Sequence, residues 1–273
     1  MTGPPEICPA GSEEACSLHR YLDLGRVSED PSNAVGSTVW HFSSLPSTNN
    51  LLQDLYRRGL AAHGAVVVAD EQTAGRGRRG RRWSAPPGSG LLVSILLTPL
   101  AASESYALGV LAAREAIVRR YELDVRVKWP NDLLLDGRKV CGILVDRLDE
   151  GAVVGLGINT NMKTEAAVGV PVEATSLRAH RGAPVDHAEL LVDLLARFEH
   201  WYAIARRHPT TIFREWRLSL DTIGQVVEVE TPTERWTGRA LDVADDGSLL
   251  VSNGKRTVRV YAADVRVKAA NPL

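Results

Sequence analysis

Residues 128–145 read KWPNDLLLDGRKVCGILV, and the organisation of the chain can be worked out from this stretch. Val125–Trp129 is β-branched and apolar enough for a strand, and Pro130 ends it because proline has no N–H to give a ladder. Asn131 and Asp132 follow in a turn. The Asp136-Gly137-Arg138 corner then sends the chain back into a second strand, Val140–Val145. Lys128 and Lys139 therefore stand at strand ends beside a turn, where side chains can reach into a cleft. A lone lysine is usually solvated, but two that frame Trp-Pro-Asn-Asp mark a candidate site. Upstream, Ala65–Ala69 (AVVVA) and Leu91–Leu97 (LLVSILL) read as buried strands. Ser103–Tyr121 reads as a helix, as does the run capped at Ser47 and stopped by Gly59. Downstream, Ala152–Leu156 is a strand. Asp186 with Glu189 three positions on has the form of a capping box ahead of a helix carrying Leu190, Leu191, Leu194, Leu195 and Phe198. Ile212, Phe213 and Trp216 mark a last helix.

The texture changes near residue 222. Gln225–Glu230, Arg235–Val243, Ser248–Val251 and Thr257–Tyr261 are short strands with turns at Asp245-Asp246-Gly247 and Asn253-Gly254, the spacing of a small β-barrel. At the other end, residues 1–38 read as a tail and linker, with one short helix over Glu13–Leu24. No helix-turn-helix pattern precedes Ser47, so sequence-specific DNA binding is not expected. The expected division is 1–38, 39–220 and 221–273.

Bulk properties narrow the function. With 32 basic and 33 acidic side chains the net charge is -1, so the chain is no general polyanion binder. Cys8, Cys16 and Cys141 form neither a CxxC pair nor a disulfide framework, which fits a reducing, cytoplasmic setting. Cys141 reads as a small buried apolar residue. No stretch is long and apolar enough for a membrane span, and no secretory signal is present.

The most unusual segment is Gly75–Trp83, GRGRRGRRW, in which five of the eight residues from Gly75 to Arg82 are arginine and three are glycine. Glycine lets successive backbone N–H groups converge on an anion, and arginine adds permanent charge in a forked geometry. The loop is suited to carboxylate, phosphate or a nucleic-acid backbone. No GxxxxGK[ST] occurs, which excludes a Walker loop. Gly155–Asn159 (GLGIN) ends a strand with two glycines and an amide, a place for a flat ring to lie against backbone.

Ser47-Thr48-Asn49, EQTAGRGRRGRRW at Glu71–Trp83, KWPND at Lys128–Asp132, Arg138–Val145 and GLGIN occur in the order and at about the spacing of the biotin–protein ligases. The resemblance runs from Ser47 to Asn159, and the barrel-like C-terminus also fits it. It implies an α/β (α+β) fold: a mixed sheet backed by helices, then a small SH3-like barrel. It implies two steps, formation of biotinyl-5′-AMP from biotin and ATP, then transfer to a lysine of a biotin carboxyl carrier domain of an acyl-CoA or pyruvate carboxylase. By similarity, Ser47, Thr48, Asn49 and Gln72 bind the ureido ring. Arg76, Gly77 and Arg78 lie over carboxylate and phosphate, with Lys139 and Gly142 completing the biotin site. Trp83, Asn131, Asp132, Gly157 and Asn159 attend the nucleotide. Lys139, Arg76 and Arg78 supply the charge for catalysis, Lys128 or Asp132 helps deprotonate the acceptor, and Asp132 helps place Mg²⁺.

Two other readings remain at this stage. A lipoate–protein ligase would share the reaction, although the arginine-rich loop together with KWPND favours biotin. A nucleic-acid-binding protein would use the same loop, but Glu228, Glu230, Asp242, Asp245 and Asp246 are scattered through the barrel segment without an aromatic platform.

Overall fold

The computed structural model describes residues 34–163, 174–231, 234–244, 246–261 and 264–267. The expected N-terminal helix, and the stretch read as lacking a DNA-binding motif, lie outside the described residues. Seven strands, β1 (Val39–Phe42), β2 (Val66–Ala69), β3 (Gly90–Leu97), β4 (Arg126–Lys128), β5 (Asp132–Leu135), β6 (Arg138–Leu148) and β7 (Gly151–Asn159), form one mixed sheet in the order β1-β2-β3-β7-β6-β5-β4. Only β1 and β2 run parallel. β1 and β5 were not evident in the sequence. Each has four residues, too short for a period to emerge. Asp132, read as a turn residue, opens β5.

The helices are α1 (Thr48–Arg57), α2 (Ala102–Tyr121), α3 (Leu177–Arg181), α4 (His187–Arg207) and α5 (Pro209–Ser219). They divide between the two faces of the sheet. Alternate residues of β3, Leu91, Val93, Ile95 and Leu97, pack with Leu108, Leu194 and Phe198 of α2 and α4 in the main core. Phe198 is fully buried there, and truncating such a side chain to alanine costs about 3–5 kcal/mol. Of the described helices only α1 lies on the opposite face, where its Leu52 and Leu55 pack on Val67, Leu96 and Val153. α1 is short because both of its ends are fixed. The Ser47 hydroxyl accepts from the N–H of Asn50. At the other end Gly59 (φ +70°) lets its own N–H reach Tyr56 O and that of Leu60 reach Leu55 O, at 2.9 Å each. The rest of that face carries no described helix.

Two sequence expectations need correction. Ala34 and Val35, read as the end of a linker, are buried, with Val35 N–H on Glu199 at 2.8 Å. Glu189 does not return a hydrogen bond to Asp186, so the capping box is one-sided. Asp186 accepts from the N–H groups of Ala188 and Glu189, and the Glu189 carboxylate goes to Arg120 at 2.6 Å.

Past residue 221, β8 (Val226–Glu230), β9 (Arg235–Val243), β10 (Leu249–Ser252), β11 (Thr257–Val260) and β12 (Asp264–Val267) form a five-stranded antiparallel sheet in the order β11-β10-β9-β8-β12. Its inward residues Val227, Val229, Ala240, Leu249 and Val251 belong to the same continuous core as Val127 and Trp129 of the large sheet. Polar contacts reinforce the junction. Trp129 N–H donates to Thr222 Oγ1 at 2.9 Å, its indole Nε1–H to Gly247 O at 3.1 Å, and Asp221 N–H to Val127 O at 2.9 Å.

Candidate functional site

The open part of the α1 face becomes a cleft of about 410 Å³. Paired residues on neighbouring strands share a face, and the register of five strands places Lys128, Asp132, Gly142, Gly157 and Leu92 in one row across it. The next row holds Leu144, Gly155 and Ser94, and the one after it Asp146, Val153 and Leu96. A register shift between Leu133 and Leu134 lets Leu134 pair with Lys139 while Asp132 pairs with Gly142. Without that bulge, Lys139 and Gly142, an odd number of residues apart, would point to opposite faces. With it, Lys139 turns into the cleft and its Nζ lies 2.6 Å from the Asp132 carboxylate.

The floor is flat because glycine forms it. A Cβ on Gly157 would lie 2.3 Å from the Trp83 ring, one on Gly142 would lie 2.9 Å from both Trp83 and the Lys139 ammonium, and one on Gly155 would lie 2.0 Å from Asn49 Oδ1. The Trp83 indole thus rests on the glycine row, with Lys139 Nζ 5.4 Å from its ring centroid. Its Nε1–H is buried and has no acceptor among the described residues.

The arginine-rich segment is a small hairpin standing over this floor. Trp83 N–H donates to Gly75 O and Gly77 N–H to Arg81 O, and Arg76 pairs with Arg82. Arg79 and Gly80 turn at its tip with φ of +59° and +73°, and Arg82 ties back to Thr73 O. Three cations that face the cleft are held by protein acceptors. Arg76 forks onto Asp146 at 2.9 and 3.0 Å and reaches Asn50 at 2.7 Å, Arg78 donates to Asn131 Oδ1 at 3.0 Å, and Lys139 pairs with Asp132.

At the far end of the cleft, Gln72 Oε1 accepts from Thr48 N–H at 2.8 Å and lies 3.1 Å from Thr48 Oγ1. The buried Ser94 hydroxyl lies 2.7 Å from Thr48 Oγ1 and 2.5 Å from Asn49 Oδ1. Asn49 Nδ2–H donates to Asp146 at 2.9 Å. Asn131 is locked to β6, donating to Ile143 O at 2.7 Å. Asn159 sits at the end of β7 with its amide 3.4 Å from Lys139 O.

Every residue expected at the site from the sequence, from Ser47, Thr48, Asn49 and Gln72 through Arg76, Gly77, Arg78 and Trp83 to Lys128, Asn131, Asp132, Lys139, Gly142, Gly157 and Asn159, lines this one cleft. Sequence reading did not single out Ser94, Asp146, Asn50 and Gln53, which stand behind the lining residues and hydrogen-bond to them or to one another. Ser94 had a signal, since it is the lone polar residue in a run of seven otherwise apolar positions. Cys141, next to Gly142, faces the other way into the core, and burial pushes its thiol well above the usual range, so it is not a nucleophile here. Among the described residues, no group of three or more His, Cys, Asp or Glu is placed to hold a metal ion, and no helix is long and apolar enough to cross a membrane.

Residues 41–162 match the biotin/lipoate A/B protein ligase family, and residues 222–267 match the biotin protein ligase C terminal domain. The biotin–[acetyl-CoA-carboxylase] ligase of Mycobacterium tuberculosis is 34% identical over 232 residues, covering 80% of this chain and 85% of that protein. The bifunctional ligase/repressor BirA of Bacillus subtilis is 31% identical over 247 residues, covering 85% of this chain and 75% of that protein. Among solved structures, the biotin protein ligase of Aquifex aeolicus in complex with biotin and ATP superposes with a TM-score of 0.74 at 25% identity, over 85% of this chain and 99% of that one.

Proposed function

Because the chain belongs to the biotin protein ligase family, we propose that this cleft is where it activates biotin with ATP and passes it to one lysine of a carboxylase carrier domain. A carboxylate does not acylate an amine in water at neutral pH, since oxide is not a leaving group. Attack of the biotin carboxylate on the α-phosphorus expels pyrophosphate and gives a mixed anhydride, biotinyl-5′-AMP. The acceptor amine then attacks its carbonyl and AMP leaves. The first step brings two anions together, so fixed positive charge is the main requirement.

The observation that carries this reading is the row Lys128–Asp132–Gly142–Gly157, with Lys139 turned into it by a bulge and the arginine hairpin above. The division of labour is that of the family, carried over to the residues that line this cleft. Thr48, Asn49, Gln72 and Ser47 present donors and acceptors to the ureido ring. Arg76, Gly77 and Arg78 cover the carboxylate and phosphate. Lys139 stabilises charge on the transferring phosphorus. Trp83 offers its free face to the adenylate, with adenine beside the Gly157–Asn159 end of β7. In the second step Lys128 or Asp132, register partners on β4 and β5, receives the proton of the incoming ammonium. Mg²⁺ bound to a triphosphate typically keeps waters and takes one or two carboxylates, and Asp132 is the carboxylate that would meet it. In this reading residues 39–220 hold the chemistry, residues 221–273 form the second unit, and its Asp221, Thr222 and Gly247 brace the KWPND strand.

The test is incubation of the chain with ATP, Mg²⁺ and biotin, measuring pyrophosphate, followed by addition of a carrier domain and detection of label on its lysine. Lipoate in place of biotin should release little pyrophosphate. Equal turnover of the two acids, or none with biotin, would remove the proposal.

A further inference from the structure

Asp146 joins the two halves of the cleft. It lies on β6 outside the motifs that announce the site, and its carboxylate takes four hydrogen bonds. Two come from the Arg76 fork, at 2.9 and 3.0 Å, one from Asn49 Nδ2 at 2.9 Å and one from Gln53 Nε2 at 2.8 Å. Its side chain is only 16% exposed. A carboxylate only accepts, so it obliges Asn49 to turn its NH₂ toward β6 and its Oδ1 toward Ser94. That fixes which way the whole chain of polar contacts at the ring end of the cleft points. The same carboxylate occupies the guanidinium fork that an incoming anion needs, in the bidentate arrangement that carboxylates and phosphates favour.

We infer that Asp146 is a positioning residue for the ligation reaction: it orients the ring-binding amide of Asn49 and stands in for the substrate carboxylate on Arg76 until biotin arrives. This rests on the reading of the cleft as a biotin site. When the ligand carboxylate takes Arg76, Asp146 is left to Asn49 and Gln53 alone, so occupation of the anion subsite tightens the hold on the ring. The exchange also means that the wild-type site gains little from the ligand's charge, because one carboxylate on Arg76 replaces another.

The experiment is calorimetric titration of the full chain with biotin and with biotinol, the uncharged alcohol analogue, using wild type, Asp146→Asn, Arg76→Met and the double variant. Asp146→Asn should bind biotinol about tenfold more weakly, the equivalent of one lost charge-assisted hydrogen bond to Asn49. Its preference for biotin over biotinol should rise about tenfold, because Arg76 no longer has an internal competitor. In the Arg76→Met background the same substitution should leave that preference where it was. Unchanged biotinol binding, an unchanged preference, or an equal rise in preference without Arg76 would each overturn the inference, the last by reducing it to through-space repulsion. If Asp146→Asn does not melt cooperatively, Asp146→Ser carries the same expectations. Failure of the wild type to bind biotin would instead refute the functional reading itself.

Discussion

Gly157→Ala is a one-carbon test of the site. Gly157 sits in β7 between Leu92 on β3 and Gly142 on β6. Its backbone is not left-handed, so alanine is conformationally acceptable. The added Cβ would stand 2.3 Å from Trp83 Cε2 and 2.5 Å from Cζ2. Carbon atoms in contact prefer about 3.5–4.0 Å, so something must move by at least about 1.2 Å. β7 is hydrogen-bonded on both sides along its length, whereas Trp83 is held by a surface hairpin, so the indole gives way. Stability changes little. Replacing glycine gains about 0.4–1 kcal/mol through the unfolded chain, against an overpacking cost of about 1–3 kcal/mol that the hairpin relieves by shifting. Catalysis suffers more, since displacing a positioning group by about 1 Å costs on the order of 10²-fold. Pyrophosphate release measured against ATP concentration should show kcat/KM for ATP falling by about that factor, mostly through KM, with the melting temperature nearly unchanged. Wild-type kinetics would refute the idea that the indole floor holds the nucleotide. A large drop in melting temperature would show instead that the strand yields and not the ring.

Three further outcomes follow from particular contacts. Lys139→Ala should lower adenylate formation by roughly 10²–10³ while the chain stays folded, and near-normal pyrophosphate release would remove its role. Arg78→Gly takes away the hydrogen bond to Asn131 and should let the adenylate escape: with albumin present and no carrier, the variant should label albumin more than wild type does, and equal labelling with continued pyrophosphate release counts against a retaining role. His63 is stacked on Tyr202 at 4.1 Å, and burial, with Arg206 nearby, lowers its pKa from 6.5 to about 4. The unfolded chain therefore takes up this proton first: the contribution is fully present above pH 6.5 and is lost as pH falls toward 4, by roughly 1–2 kcal/mol once solvent screening is allowed for. Urea midpoints at pH 7.5 and 5 should differ by less in His63→Phe, and an unchanged difference would exclude His63 as the cause.

The sequence made the site far more legible than the fold that carries it. GRGRRGRRW and KWPND can be picked out locally, because a loop of five arginines and three glycines and a proline-ended strand framed by two lysines break every helical or strand period. The rows across the sheet cannot. That Lys139 faces Asp132 depends on a bulge, which leaves no trace in composition or period. Asp146 looks like an ordinary residue at the end of an apolar strand until α1 and the hairpin are folded over it. β1 and β5 escaped because four residues show no alternation, and Ala34 and Val35 because a Ser-, Pro- and Asn-rich stretch conceals two small apolar residues that end up packed.

The indole of Trp129 bears on how the molecule comes apart. It belongs to the KWPND strand, yet its indole N–H is satisfied by Gly247, in the turn between β9 and β10, and its backbone N–H by Thr222, just ahead of β8. The core runs unbroken from Phe198 to Val251. The change of texture near residue 221 is therefore not a line of weakness. Heat or denaturant acting on the small sheet would strip Trp129 of its partners and disturb Asn131 and Asp132 two and three residues on, so both parts should be lost in one cooperative step. A shortened chain lacking that sheet would lose the turn on which its catalytic groups stand, and not merely an appendage.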